Sequence, residues 1–133
     1  MLEKKILKEY RSIAVVGVSP NPERPSHIVF DYLAHHGYHV IPVNPNSREI
    51  LGHVSYPDLL SIPEKIEVVD IFRSSNEVLP IVEGAILIKA KAVWMQEGVI
   101  NKEAAAKAKK AGLLVVMDKC MMKEHKRLVR KEN

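Results

Sequence analysis

Ile13-Ala14-Val15-Val16-Gly17-Val18-Ser19-Pro20-Asn21-Pro22-Glu23-Arg24-Pro25-Ser26 reads as a strand, a tight loop and the start of a helix. The apolar run from Ile13 to Val18 suits a strand buried on both faces, and Gly17 near its end permits a turn that a side chain would obstruct. Ser26 has the chemistry of an N-cap, and Ile28, Val29, Tyr32 and Leu33 recur on one face of the helix it would open. Gly37 supplies a left-handed stop. A strand that enters a helix through a glycine and a serine presents backbone N–H groups and the positive end of a helix dipole, which suits phosphate. The unit therefore points to a nucleotide-type ligand.

Outward from this unit, helical and extended patterns alternate. Leu2 to Tyr10 reads as a short leading helix, and His39 to Val43 as a second strand ended by Asn44-Pro45-Asn46. Glu49 to Leu60 reads as loop with one helical turn near Pro57 to Leu60. Glu67 to Phe72 is a third strand, and the helix Val78 to Ala90 follows it, with Pro80 tolerated only in its first turn. Ala92 to Met95 is a fourth strand; Asn101 caps a helix from Lys102 to Ala111, which stops at Gly112. Leu113 to Met117 is a fifth strand, and Asp118 to Arg130 closes the chain as a helix. Strands separated by helices pair in parallel through right-handed crossovers. The expectation is an α/β fold: a Rossmann-like, doubly wound five-stranded parallel sheet in the order 3-2-1-4-5, with helices on both faces.

Composition sets the outer limits. A chain of 133 residues, 47% hydrophobic and 27% charged, reads as a single domain spanning residues 1–133. No run of about 18 apolar residues and no leader segment appears, so a cytoplasmic location without membrane contact is expected. The single cysteine, Cys120, cannot form an internal disulfide, in keeping with a reducing compartment. The net charge of +4 arises from 20 basic against 16 acidic residues, and Lys119, Lys123, Lys126, Arg127, Arg130 and Lys131 crowd the tail. With few aromatic rings and no nucleic-acid motif, that tail reads as a solvated helix face, and no nucleic-acid partner is expected. Abundant Lys and Glu beside a single Gln suggest a thermophilic source.

In a doubly wound sheet the ligand lies over the carboxyl ends of the strands. Five tips are candidates: Gly17 to Ser26, Val43 to Asn46, Phe72 to Ser75, Gln96 to Val99, and Asp118 to Met121. Ser19 and Asn21 stand where a dinucleotide-binding loop needs further glycines, and Asn44-Pro45 replaces the acidic residue that would hold a ribose hydroxyl, so NAD is disfavoured. Arg24 and Arg73 each offer a forked donor to phosphate.

Five ordered motifs then resemble one family. Gly17-Val18-Ser19 with Arg24 and Ser26, Pro42-Val43-Asn44-Pro45, Val69-Asp70-Ile71-Phe72-Arg73, Trp94-Met95-Gln96-Glu97-Gly98-Val99, and Val116-Met117-Asp118-Lys119-Cys120 with Glu124-His125 resemble the small, stand-alone CoA-binding domain proteins. These in turn are similar to the nucleotide-binding domain of the succinyl-CoA synthetase alpha subunit. The resemblance covers about Ile13 to Leu128 and implies coenzyme A as the ligand. It implies that Gly17, Val18, Ser19 and the helix start at Ser26 hold the pyrophosphate, which Arg24 neutralises. Val43, Asn44 and Pro45 would border the adenosine, and Phe72 and Arg73 would contact the nucleotide. Gln96, Glu97, Gly98, Val99, Lys119 and Cys120 would line the path of the pantetheine arm. Arg24, Arg48 and Arg73 are all candidates for the 3′-phosphate.

Other polar residues read as structural. Trp94 sits inside a strand and reads as core. His35, His36 and His39 gather near a helix end without convergent carboxylates, His27 and His53 stand alone, and no metal site is expected. His125 reads as a residue that orients the last segment. Cys120 follows a strand tip beside Lys119 and a helix start, a setting that favours thiolate, so a mixed disulfide with the CoA thiol is a specific expectation. The tips offer cations and amides but no acid–base pair, so binding of CoA or an acyl-CoA without catalysis is expected. An NADP(H)-binding enzyme or redox sensor, and a protein-interaction module docking through the basic tail, are the alternatives; pairing with a protein partner or with itself is left open.

Overall fold

The computed structural model describes residues 1–130, so Lys131 lies outside the described residues. Helix α1 (Leu2–Glu9) buries Ile6 and Leu7 and leads into strand β1 (Ser12–Val16). Helix α2 (Pro25–Ala34) and strand β2 (His39–Val43) follow. Two short strands, β3 (Glu49–Ile50) and β4 (His53–Val54), then form an antiparallel pair. A 3-10 turn (Leu59–Ser61) precedes β5 (Val68–Ile71), and a second (Ser75–Glu77) runs into α3 (Val78–Leu87). Strand β6 (Ala92–Met95), helix α4 (Lys102–Lys110), strand β7 (Leu114–Val116) and helix α5 (Met121–Leu128) complete the described chain.

The main sheet is parallel throughout, in the order β2-β1-β5-β6-β7. Because side chains alternate between faces, each strand contributes to two cores. Ala14, Ile41, Val69, Ile71, Val93 and Met95 pack beneath α3, α4 and the Leu59 turn. Ile13, Val15, Val40, Val68 and Trp94 pack against α1, α2 and α5. Phe30 and Trp94 are fully buried, each contributing about 2–3 kcal/mol of burial. Trp94 is thus core, as its sequence position indicated, and its Nε1 donates to the Lys119 carbonyl at 2.8 Å.

The fold class is the expected Rossmann-like α/β sheet, but the strand order differs. Numbering only the main-sheet strands, the order is 2-1-3-4-5, with the third strand beside the first. Pro42 explains why β2 cannot be interior: it has no N–H for a second ladder and belongs on an edge strand. The chain leaves β2 through the β3–β4 hairpin, recrosses β1 and pairs β5 with its free edge. That hairpin falls where the sequence reads as loop: its turn places Leu51 (φ +51°) and Gly52 (φ +77°) in the left-handed region, where leucine is rare.

Two local expectations also change. Helix α2 begins at Pro25 with Arg24 at the N-cap, so Ser26 is the second residue of its first turn and does not cap it. The buried face of α2 is Ser26, Val29, Phe30 and Leu33, leaving Ile28 46% exposed. Asn101 does cap α4 through Ala104 N–H at 2.9 Å, and Gly37 and Gly112 both take left-handed conformations after their helices.

Asp70 stands out in the middle of β5, between Val15 and Trp94 on the neighbouring strands. It is fully buried, and among the described residues neither carboxyl oxygen has a hydrogen-bond partner. Burial pushes this carboxyl well above the ordinary carboxylate range, which favours its protonated, neutral form. The native state then retains a proton that the unfolded chain releases above about pH 3.9, and stability falls as pH rises from there toward the raised native value. The slope attributable to Asp70 approaches about 1.4 kcal/mol per pH unit within that window. Urea unfolding of wild type and Asp70→Asn across this range should give a steeper decline for wild type; parallel profiles would contradict a neutral Asp70.

Candidate functional site

Because β2 flanks β1 on one side and β5 on the other, the tips of β1 and β5 lie side by side where the strand order reverses. Phe72 N–H donates to the Val16 carbonyl at 2.8 Å, and Gly17 N–H donates to the Val43 carbonyl at 2.9 Å, so three tips are stitched together. Gly17 adopts φ +90°, and a Cβ built there would fall 2.1 Å from the Phe72 carbonyl oxygen. Only glycine fits this crossing.

The loop that follows is held by its own polar side chains. Ser19 N–H donates to Ser26 Oγ at 2.9 Å, and His27 Nδ1 lies 2.8 Å from the Ser19 carbonyl, which makes that nitrogen the donor. Ser19 Oγ accepts Asn21 N–H at 3.0 Å, and Asn21 Oδ1 accepts Glu23 N–H at 3.0 Å. Asn44 Nδ2 donates to the Val18 carbonyl at 2.8 Å, tying the β2 tip to the same loop. Ser26 therefore shapes the loop instead of capping its helix.

Two open clefts meet at Gly17 and Arg73. The first, about 590 Å³, runs from the loop to the tips of β6 and β7. Ser19, Arg24 and Ser26 line one end, Phe72 and Arg73 the junction, and Gln96, Glu97, Val99 and Cys120 the other end. The second, about 570 Å³, runs over the tip of β2, where Val43 and Pro45 face Pro57 to Leu60 and the Pro80, Ile81 and Gly84 surface of α3.

Twelve of the sixteen candidate residues thus border one cleft or the other. Val18 is fully buried and lines neither, contributing its carbonyl to Asn44. Asn44 and Gly98 hold the site's backbone: Gly98 N–H donates to Asp118 Oδ1 at 2.7 Å. Lys119 faces away, its ammonium 2.5 Å from Glu3 and 3.8 Å from Glu124. The left-handed Asp118 (φ +61°) redirects the chain, leaving the Cys120 side chain on the cleft side. Arg48 is exposed and borders neither cleft.

Several lining groups are already engaged. Gln96 Oε1 accepts Met121 N–H at 3.1 Å, satisfying the first turn of α5 above Cys120. Glu97 pairs with Lys123 at 2.9 Å, and Glu77 pairs with Arg73, which holds the Glu77 carboxyl below its ordinary range. Cys120 is 6% exposed at the N-cap of α5. Away from the clefts, His125 Nδ1 lies 2.8 Å from the Tyr32 hydroxyl, joining α5 to α2; desolvation, with His36 nearby, holds this imidazole below its usual range. Sequence reasoning missed the Pro57–Leu60 and Pro80–Gly84 walls; the turn near Pro57 was the one available signal.

A two-lobed cleft at the switch point of a doubly wound sheet is the architecture of a Rossmann-like α/β domain. Residues 11–126 match the model of the CoA binding domain family, and the chain belongs to that family. It is 38% identical over 122 residues to the uncharacterized protein YneT of Bacillus subtilis, covering 92% of this chain and 90% of that one. It is 29% identical over 119 residues to an ADP-forming acetate–CoA ligase of Archaeoglobus fulgidus, covering 82% of this chain but 17% of the ligase. Among solved structures, a hypothetical protein of Pyrococcus horikoshii superposes with a TM-score of 0.93 at 50% identity, covering 96% of this chain and 89% of that one. Among the described residues no helix is long and apolar enough to cross a membrane, and no group of His, Cys, Asp and Glu could hold a metal ion.

The crossing at Gly17 yields a direct test. Gly17 and Gly112 have nearly the same φ, +90° and +91°, but only Gly17 has atoms in the way of a Cβ. Gly17→Ala and Gly112→Ala share the left-handed penalty, so the extra loss in Gly17→Ala reports the steric clash alone, expected at about 1–3 kcal/mol as for other overpacked sites. Equal losses in denaturant unfolding would show that the β1 and β5 tips have room to part.

Proposed function

We propose that the chain binds coenzyme A, or an acyl-CoA, across the carboxyl ends of the parallel strands, as one unit spanning residues 1–133 and without catalysis of its own. The observation that carries this reading is the pair of clefts meeting at Gly17 and Arg73: a ligand with two dissimilar ends and anionic charge between them matches it. The Arg24, Ser26 and Ser19 end of the first cleft suits the pyrophosphate. The second cleft, walled by Val43, Pro45, Leu59 and Ile81, suits the flat, apolar face of the adenine. The stretch past Gln96 and Val99 toward Cys120 suits the slender pantetheine arm and its thiol. Family membership and the similarity to part of a CoA ligase support the same ligand.

Calorimetry on ligand-stripped protein checks the assignment. CoA should bind at micromolar affinity or tighter, and dephospho-CoA more weakly; binding of NADPH in place of CoA would overturn the reading.

Cys120 gives the reading a covalent extension. Its thiolate attacks one sulfur of a CoA disulfide; a new S–S bond joins Cys120 to one CoA, and the second CoA leaves as its thiolate. Protein incubated with CoA disulfide should carry one CoA-sized adduct by intact mass, removed by dithiothreitol and absent in Cys120→Ser. An unmodified wild-type mass would exclude the exchange.

A further inference from the structure

Arg73 occupies an unusual position in the two-lobed site. It borders both clefts, and its stem lies across Gly17, with Cδ 3.0 Å from where a Cβ would stand. Its Nη2 is 2.5 Å from Oε2 of Glu77, which borders the second cleft. The other carboxylate of that cleft, Asp58, is committed to the N–H and hydroxyl of Ser61 at 2.9 and 2.6 Å. Glu77 is therefore the carboxylate that engages Arg73 at the junction.

We infer that Glu77 is a specificity-determining residue: it competes with the ligand's phosphate for Arg73, and the ion pair is surrendered when a phosphate-bearing nucleotide spans the two clefts. This rests on the CoA reading above and adds what that reading lacks, a term that opposes binding. Glu77 holds Arg73 through Nη2, so a phosphate that takes that nitrogen displaces the carboxylate, and while the pair is intact the carboxylate's charge offsets the attraction of the guanidinium for any other anion beside it. The pair is about half exposed, so its loss is readily offset by a dianionic ligand and poorly by a weak one. Glu77 thus sets a threshold against solutes without sufficient negative charge at the junction. A ligand fragment without phosphate, such as pantetheine, leaves the pair intact and gains nothing from its removal.

The test is a double-mutant cycle on the full chain, titrating CoA and pantetheine into wild type, Glu77→Gln, Arg73→Met and the double variant. Glu77→Gln should bind CoA about two- to fivefold more tightly than wild type at about 0.05 M salt, with a smaller gain at about 0.5 M, and pantetheine unchanged. The gain should vanish in the Arg73→Met background. Unchanged or weaker CoA binding by Glu77→Gln, or an equal gain without Arg73, would overturn the inference while leaving the ligand intact; the second outcome would reduce Glu77 to a diffuse negative charge. Failure of wild type to bind CoA at all would overturn the ligand reading, and this inference with it.

Discussion

The close approach of Gly17 to the Phe72 carbonyl is the constraint on which the site depends. Two parallel strand tips come together there with no side chain between them, so the backbone itself forms the floor of the junction. From that floor the chain diverges, through the Ser19 loop on one strand and through Arg73 toward α3 on the other. The clefts on either side are consequences of that divergence. Their lining residues come from five strand tips, from α2 and α3 and from the Leu59 turn, and the hydrogen bonds of Ser19, Ser26, His27 and Asn44 hold the loop in shape.

Preorganisation of this kind, in which the loop's own hydrogen bonds order its backbone, would lower the cost of binding a ligand there. It also separates the roles of the two faces of the sheet. One face carries Asp70 in an apolar core beside Trp94, and the same helical layer positions Cys120 at the N-terminus of α5. The other face, under α3 and α4, builds the wall of the second cleft. The acetate–CoA ligase relative carries a similar unit as 17% of its length. A fold that concentrates recognition on strand tips is well suited to use either as part of a larger chain or as a unit of this size.

Much of this was legible in the sequence because strands and tips carry strong local signals. Runs such as Ile13 to Val16 and Val68 to Ile71, the latter apolar but for Asp70, have the length and β-branched content of buried strands, and Gly17, Arg73, Gln96 and Cys120 each lie within four residues of a strand end. The strand order was misread although its signal was present: Pro42 excludes β2 from the sheet interior. The β3–β4 hairpin left no comparable trace, since Leu51 adopts a conformation that its side chain disfavours. The direction of Lys119 depends on the left-handed Asp118, and the walls at Pro57–Leu60 and Pro80–Gly84 depend on the long crossover over β1; both are properties of assembled structure. Ser26 was placed at the correct site with the wrong partner, because a serine near a helix start serves a cap or a loop equally well.

The central claim is that one ligand lies across both clefts over the Gly17 junction. Amide chemical-shift mapping during a CoA titration of the isotopically labelled chain tests it most directly. The account predicts the largest shifts at Gly17, Ser19, Ser26, Val43, Arg73, Gln96 and Cys120, spanning both sides of the junction in a single saturable event. Shifts confined to one cleft, or centred on the α1 and α5 surface, would contradict it.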